Sequence, residues 1–281
     1  MRGRRGETPV EVELVLEPGA AKRAKLNGAP LRAAEQLRTA TATLVFTPDR
    51  LGVVKGAPAV RRAYFDRVLG RLAPARAHLP AEYGAAVAQR NAALRRAAAG
   101  TSSREVLAPW TAQVAELGAA LVESRLETLA LLGPSFAERA GELGLDGAEL
   151  RYEGEPPTVE ELEARLDRDL ERGVTSLGPH LDDVVLASAG RELRGFGSQG
   201  EQRLAVLALL LAEASLLLER QGVPPLLLLD DVLSELDPSR RRILAARVAG
   251  AGQALVTATD AAMLPATPDQ LLTVEPGEVN E

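Results

Sequence analysis

A chain of 281 residues with 46% apolar side chains can bury a large core, as one large domain or two ordinary ones, and with aromatics at 3% that core must be built from Leu, Val and Ala. The absence of cysteine excludes disulfides and thiolate metal sites, and His78 and His180 alone are too few for a histidine zinc centre, so any chemistry rests on carboxylates, hydroxyls and backbone amides. The net charge of −6 is unevenly spread: from Arg50 to Arg104 eleven cations meet only Asp66 and Glu82, an excess of nine that leaves the rest of the chain at −15, so one part is suited to a polyanion.

The basic stretch Met1 to Glu7 has no apolar core and is not a secretory signal. Val10 to Leu16 alternates as a strand, Pro18-Gly19 marks a turn, and Lys22 to Leu26 leads into Asn27-Gly28, a hairpin signal; Thr41 to Phe46 is a further strand. From Pro58 the period becomes helical, over Val60–Leu72, Ala81–Ala98, Ser103–Leu132 and Phe136–Leu143. Leu150–Tyr152 reads as a short strand, and Thr158–Glu171 as an acidic helix opened by a Thr158/Glu161 capping box. Strands are expected at Val184–Ala187, Glu192–Phe196, Leu226–Leu229, Ala254–Thr257 and Leu271–Val274, with helices at Glu201–Gln221 and Ser239–Val248, so the C-terminal third is α/β with a parallel sheet. The longest apolar run, Leu204–Leu218, is shorter than a membrane span and broken by Glu213 and Ser215; a soluble cytoplasmic protein without membrane contact is expected.

Leu226 to Leu229 is an unbroken apolar run, which suits a central strand covered on both faces, and it ends in Asp230-Asp231. Ligands of open α/β sheets bind beyond the C-terminal ends of strands, so these acids stand where a magnesium-bound nucleotide is expected, in a Walker B arrangement. Asp230 would hold the metal through water, because magnesium takes oxygen ligands in octahedral geometry, and Asp231 would orient or deprotonate the attacking water. Two acids can also simply end a strand. Against that, Ser234-Glu235-Leu236-Asp237 follows directly and has the form of the D-loop of ABC-type ATPases.

About thirty residues before Asp230, Ser198-Gln199-Gly200-Glu201 opens a helix at the spacing of an ABC signature motif. A serine hydroxyl and unpaired amides at a helix N-terminus form an anion site, which in ABC-type dimers covers the γ-phosphate held by the opposite subunit. Ser198 and Glu201 also satisfy an ordinary capping box, and both readings can hold together. Thr257, after the last sheet strand, is a candidate γ-phosphate contact.

These residues together resemble the bacterial RecF family, ABC-type ATPases related to SMC heads, over roughly residues 40 to 260. The resemblance rests on Ser198 to Arg203, on Leu228 to Asp237, on Gly178-Pro179-His180 with Asp182-Asp183, and upstream on Phe46-Thr47-Pro48-Asp49, Lys55-Gly56, Arg61-Arg62, Phe65-Asp66, Tyr83 and Gln89-Arg90-Asn91; Leu181 replaces the arginine of the family's Gly-Pro-His-Arg-Asp-Asp segment. It implies an α/β ABC-type head with an inserted helical lobe: residues 1–56 as a strand-rich remnant of the N-terminal ATPase lobe, 57–175 as the helical lobe, and 176–281 as the C-terminal ATPase subdomain. It further implies ATP and Mg2+ as cofactors, both expected only together with a P-loop segment or a partner subunit, with Ser198, Gln199, Gly200, Glu201, Asp237 and Thr257 on the nucleotide. The implied activity is that of an ATP-dependent homodimer that binds DNA, single-stranded and gapped duplex, and works with recombination-mediator proteins in recombinase loading, replication restart and the SOS response. Arg61, Arg62, Arg90, Arg95 and Arg96 are the candidate DNA contacts.

One part of that pattern is missing, because no Gly-x-x-x-x-Gly-Lys-Ser or Thr occurs in the chain. The resemblance implies that this loop lies near the family's N-terminus and that Met1 falls inside the first lobe, through an internal start, a fragment or true degeneration. A non-catalytic DNA-binding or adaptor homologue is therefore the alternative to an ATPase. An SMC head would need a long coiled coil between lobes, where only four or five modest helices are expected.

Overall fold

The structure is a computed structural model that describes residues 2–5, 8–15, 17, 19, 23–31, 42–250, 252–275 and 278–280. The chain forms two compact units, Met1–Asp49 with Gln221–Glu281, and Arg50–Arg220.

The first unit opens with an antiparallel sheet of β1 (Arg2–Arg5), β2 (Thr8–Val15), β3 (Arg23–Leu26) and β4 (Ala29–Pro30) in that order. Asn27 and Gly28, with φ of 50° and 81°, make the two-residue turn between β3 and β4, and the Asn27 side-chain oxygen accepts from the Glu11 amide at 2.7 Å. Leu16, Pro18, Lys22 and Thr41 of the expected strands and turn lie outside the described residues. β5 (Thr43–Phe46) returns in the parallel sheet below.

The second unit begins with α1 (Gly52–Lys55), α2 (Pro58–Leu72), α3 (Leu79–Ala98) and α4 (Ala108–Glu142). Tyr83, Ala86 and Val87 of α3 pack on Val114, Ala115 and Leu121 of α4, and Ala93 and Leu94 pack on Leu107 and Leu170. The sequence predicts a break in α4 at Pro134, but the helix runs through it for 35 residues, longer than the modest helices expected. Leu132, Phe136 and Ala140 are fully buried on one stripe. Each large side chain is worth about 1.5–3 kcal/mol on burial, which together offsets the roughly 3 kcal/mol of an interior proline.

β6 (Ala148–Glu153) is followed by α5 (Val159–Ala164) and α6 (Leu166–Arg172), two short helices in place of the single one predicted, with the Thr158/Glu161 capping box formed in both directions. β6 pairs antiparallel with β7 (Asp183–Ser188), which turns at Ala189-Gly190 into β8 (Arg191–Glu192). The strand expected over Glu192–Phe196 is corrected: Leu193–Phe196 is a short helix, α7, because the Leu193 carbonyl accepts from the Gly197 amide at 3.1 Å and from Gln202 Nε2 at 2.8 Å, closing a helical turn. α8 (Gln199–Gln221) completes the unit, buried along most of its length.

The first unit resumes with β9 (Leu226–Leu229), which lies between β10 (Ala254–Val256) and β5, parallel to both. Leu227 and Leu229 on one face are almost fully buried, while Leu226 and Leu228 on the other are half-buried, so the strand is central but less completely covered on its second face than expected. α9 (Pro238–Ala249) links β9 to β10. The last predicted strand does not join this sheet: β11 (Thr273–Glu275) pairs antiparallel with β12 (Glu278–Asn280), and Val274 is 74% exposed.

Candidate functional site

The parallel sheet ends in the two carboxylates. The Asp230 amide donates to the Phe46 carbonyl at 3.0 Å on one side, and the Thr257 amide donates to the Leu229 carbonyl at 2.9 Å on the other. Asp231 turns into the left-handed region at φ 49°, ψ 30°, which an L-residue with a side chain adopts only at a cost of about 1–2 kcal/mol. That conformation is held from both ends: Thr257 Oγ1 accepts from the Asp231 amide at 3.1 Å, and Ser234 Oγ donates to the Asp231 carbonyl at 2.9 Å. Thr257 Oγ1 also donates to Asp230 Oδ1 at 2.7 Å.

Asp231 Oδ1 is buried and, among the described residues, has no hydrogen-bond partner. A buried acceptor left unpaired costs about 1–3 kcal/mol, so it is suited to a donor that the protein itself does not supply, such as a water. Asp230 is exposed beside it. Oxygen donors fit magnesium, and among the described residues no group of three or more His, Cys, Asp or Glu side chains stands ready to hold a metal. A pair offering one or two carboxylates fits the way magnesium is bound together with phosphates, rather than in an all-protein cage.

Asp237 caps α9, its Oδ1 accepting from the amides of Ser239 at 2.9 Å and Arg240 at 3.0 Å. The Arg240 amide foremost, with the Arg240 guanidinium nearby, holds this carboxyl below its ordinary range. Asp230, Asp231, Asp237 and Thr257 belong to one unit; Ser198, Gln199, Gly200 and Glu201 belong to the other. There Ser198 Oγ accepts from the Glu201 amide at 3.2 Å and Glu201 Oε2 from the Ser198 amide at 2.7 Å, so the capping box is real. Those bonds, to the Ser198 backbone first, lower the Glu201 pKa. Gln199 and Gly200 are exposed, and the nearest atom to a Cβ built on Gly200 would be Ser198 Oγ at 3.9 Å, so the helix start is open.

Two of the five arginines expected on DNA are corrected, because they are buried. Arg61 makes a bidentate pair with Asp183 at 2.7 and 2.5 Å and donates to the Val54 and Gly56 carbonyls. Arg90 pairs with Asp169 at 2.7 Å with both side chains fully buried. Arg62 is half-buried, with Nη1 on the Asp182 carbonyl at 2.5 Å. Asp66, four residues after Arg62 and five after Arg61, is held instead by Arg125 at 2.8 and 2.9 Å. Arg95 and Arg96 are exposed.

The Gly178-Pro179-His180 segment is a packed junction. Arg125 donates to the Pro179 carbonyl at 2.7 Å, and Tyr152 donates to Asp182 Oδ2 at 2.6 Å. His180 Nε2 sits 3.0 Å from the Thr175 carbonyl, which can only accept, so that nitrogen carries the proton and Nδ1 accepts from the Tyr83 hydroxyl at 2.7 Å. Burial lowers the His180 pKa and raises that of Asp182. Sequence reasoning missed Arg125 and Tyr152 here; the available signal was an arginine in phase with the buried Leu121 and Leu129 of α4.

No protein-family model matches the chain. It is 38% identical over 267 residues to the DNA replication and repair protein RecF of Symbiobacterium thermophilum, covering 89% of this chain and 70% of that one. To RecF of Frankia alni it is 37% identical, covering 93% and 75%, and to RecF of Pseudarthrobacter chlorophenolicus 35%, covering 99% and 81%. The solved structure of the recombination mediator protein RecF-ATP of the RecFOR pathway superposes with a TM-score of 0.83 at 25% identity, covering 97% of this chain and 76% of that one. The Smc head domain of Pyrococcus yayanosii, at 14% identity and a TM-score of 0.51, shares the fold, so the architecture is that of an ABC-type ATPase head. With the carboxylates at the strand end, the capped start of α8 and relatives of this similarity over most of both chains, this chain belongs to the RecF family of DNA replication and repair proteins.

Proposed function

We propose that the chain carries the Walker B, D-loop and signature elements of an ATP-controlled, cytoplasmic DNA-repair protein. It binds DNA at single-strand gaps and acts with recombination-mediator proteins in recombinase loading, replication restart and the SOS response. The observation that carries this reading is the orphaned Asp231 carboxylate oxygen on left-handed backbone at the end of β9. The RecF-ATP neighbour supports nucleotide use. The three-part division into residues 1–56, 57–175 and 176–281 belongs to the same proposal.

Magnesium-ATP, when bound, would supply the phosphoanhydride and a cation, which Asp230 would help to hold. Asp231 orients the attacking water and accepts its proton. The open start of α8, with Ser198, Gln199 and Gly200, covers the phosphate of a second copy, so closing the homodimer completes the site. Asp237, fixed by its cap on α9, lies directly after the acids and faces that second copy. DNA binds through exposed cations of the 50–104 segment, Arg95 and Arg96 foremost.

The absent phosphate-binding loop favours a second reading, a non-catalytic DNA-binding adaptor. The two separate by experiment. The 281-residue chain alone shows neither micromolar ATP affinity by calorimetry nor turnover above a blank, because the acids lack the amides that enclose phosphates. Extended by an N-terminal segment bearing that loop, it binds and hydrolyses ATP. In that form Asp231→Asn keeps binding and slows hydrolysis by about 100-fold or more, and Ser198→Arg blocks dimer closure. An extended form that binds no ATP establishes the adaptor, and Asp231→Asn with the wild-type rate removes Asp231 from the water.

A further inference from the structure

Thr257 touches three consecutive residues at the end of β9. Its amide donates to the Leu229 carbonyl, its hydroxyl proton goes to Asp230 Oδ1 at 2.7 Å, and its oxygen accepts from the Asp231 amide at 3.1 Å. The hydroxyl's single proton is thus committed to one acid, while its oxygen accepts from the backbone of the other. A phosphate oxygen would need that same proton and would have to take it from Asp230. The sequence-based expectation of a γ-phosphate contact therefore meets a group already committed elsewhere.

We infer that Thr257 is the positioning residue of the carboxylate pair, a role that rests on the Walker B reading of Asp230 and Asp231. By occupying Oδ1 it fixes the rotamer of Asp230 and leaves Oδ2 as the oxygen toward a metal. By accepting from the Asp231 amide it stabilises the left-handed backbone at Asp231. Threonine suits both tasks, since its branched side chain has few rotamers and one oxygen that both donates and accepts.

The test uses the 15N-labelled 281-residue chain, its Thr257→Val and Thr257→Ser variants, and Mn2+ as a magnesium probe without nucleotide. Valine keeps the shape and removes the hydroxyl; serine keeps the hydroxyl. In Thr257→Val the Asp231 amide exchanges about 3- to 10-fold faster, as removal of one modest hydrogen bond requires, and Mn2+ broadening of the Asp230 and Asp231 signals moves to higher Mn2+ concentration. Thr257→Ser restores both. Wild-type exchange in Thr257→Val overturns the role. Faster exchange with an unchanged Mn2+ response overturns it too, leaving the hydroxyl as a clasp at the strand end only. A wild-type chain whose Asp230 and Asp231 signals ignore Mn2+ while the exchange difference persists overturns the metal reading of the pair, and with it the positioning of Asp230.

Discussion

Arg90 stands where the apolar stripe of α3 requires a core residue, in phase with Tyr83, Val87 and Leu94, and it is fully buried against Asp169 with a further bond to Thr175 at 3.0 Å. Arg61 repeats the pattern ahead of Tyr64, Phe65 and Val68 on α2. Breaking a buried pair strands the other charge, so Arg90→Ala should lower unfolding free energy by about 3–5 kcal/mol in urea, while Arg95→Ala and Arg96→Ala should change it by less than about 0.5 kcal/mol. The phase was legible in the sequence; the charge drew attention from it. What spacing could not supply was the partner, since Asp169 and Asp183 lie 79 and 122 residues away from their arginines. His180 gives the pH counterpart. Its folded pKa is lowered by burial, so the unfolded chain takes up a proton first, and stability is complete above the ordinary value of 6.5 and falls as pH drops through and below it. Thermal melts from pH 8 to pH 5 should therefore show a smaller loss in His180→Asn than in the native chain, and equal losses would remove His180 from the balance.

Among the elements, the start of α8 is both capped and exposed. Ser198 and Glu201 close the capping box that the sequence announced, and Gln199 and Gly200 remain exposed beside it. Ser198→Ala should cost about 1 kcal/mol in unfolding free energy, the usual value for removal of an N-cap, whether or not nucleotide is ever bound. The Glu201 carboxyl is lowered, so its share of the cap is complete above the ordinary glutamate range and disappears as pH falls through the lowered folded value. Chemical melts of Ser198→Ala at neutral pH decide the first point, and a variant as stable as the native chain would mean that the box contributes nothing. Strands and helices with a strong period were read correctly, Leu226–Leu229 above all. Two of the misreadings fell where tertiary contacts outweigh local signals: Pro134 within α4, and Leu193–Phe196, whose turn is closed by Gln202 from the next helix.

Across the molecule, the charge imbalance along the sequence is partly consumed by folding. Arg61, Arg71, Arg76, Arg90 and Arg104, five of the eleven cations between residues 50 and 104, pair with Asp183, Glu213, Glu127, Asp169 and Asp167, all from outside that segment. Counting charges in sequence therefore overstates what is offered to a polyanion. Lys55, Arg95 and Arg96 remain exposed, with Arg95 reaching to the Gly173 carbonyl at 3.3 Å. If DNA follows this surface, affinity rests on counterion release, and each phosphate that a variant no longer neutralises lowers the slope of log K against log salt by about one unit. Arg95→Ala and Arg96→Ala should each weaken binding to gapped duplex, with slopes reduced by up to about one unit, and the double variant should show both reductions together. Arg62→Ala should change the slope less, since its guanidinium is already held by the Asp182 carbonyl. Arg61→Ala and Arg90→Ala should act through folding, visible in circular dichroism before any change in slope. Fluorescence anisotropy on a gapped duplex over a salt series measures each of these variants, and native slopes in folded Arg95→Ala, Arg96→Ala and the double variant would place the DNA surface away from the end of α3.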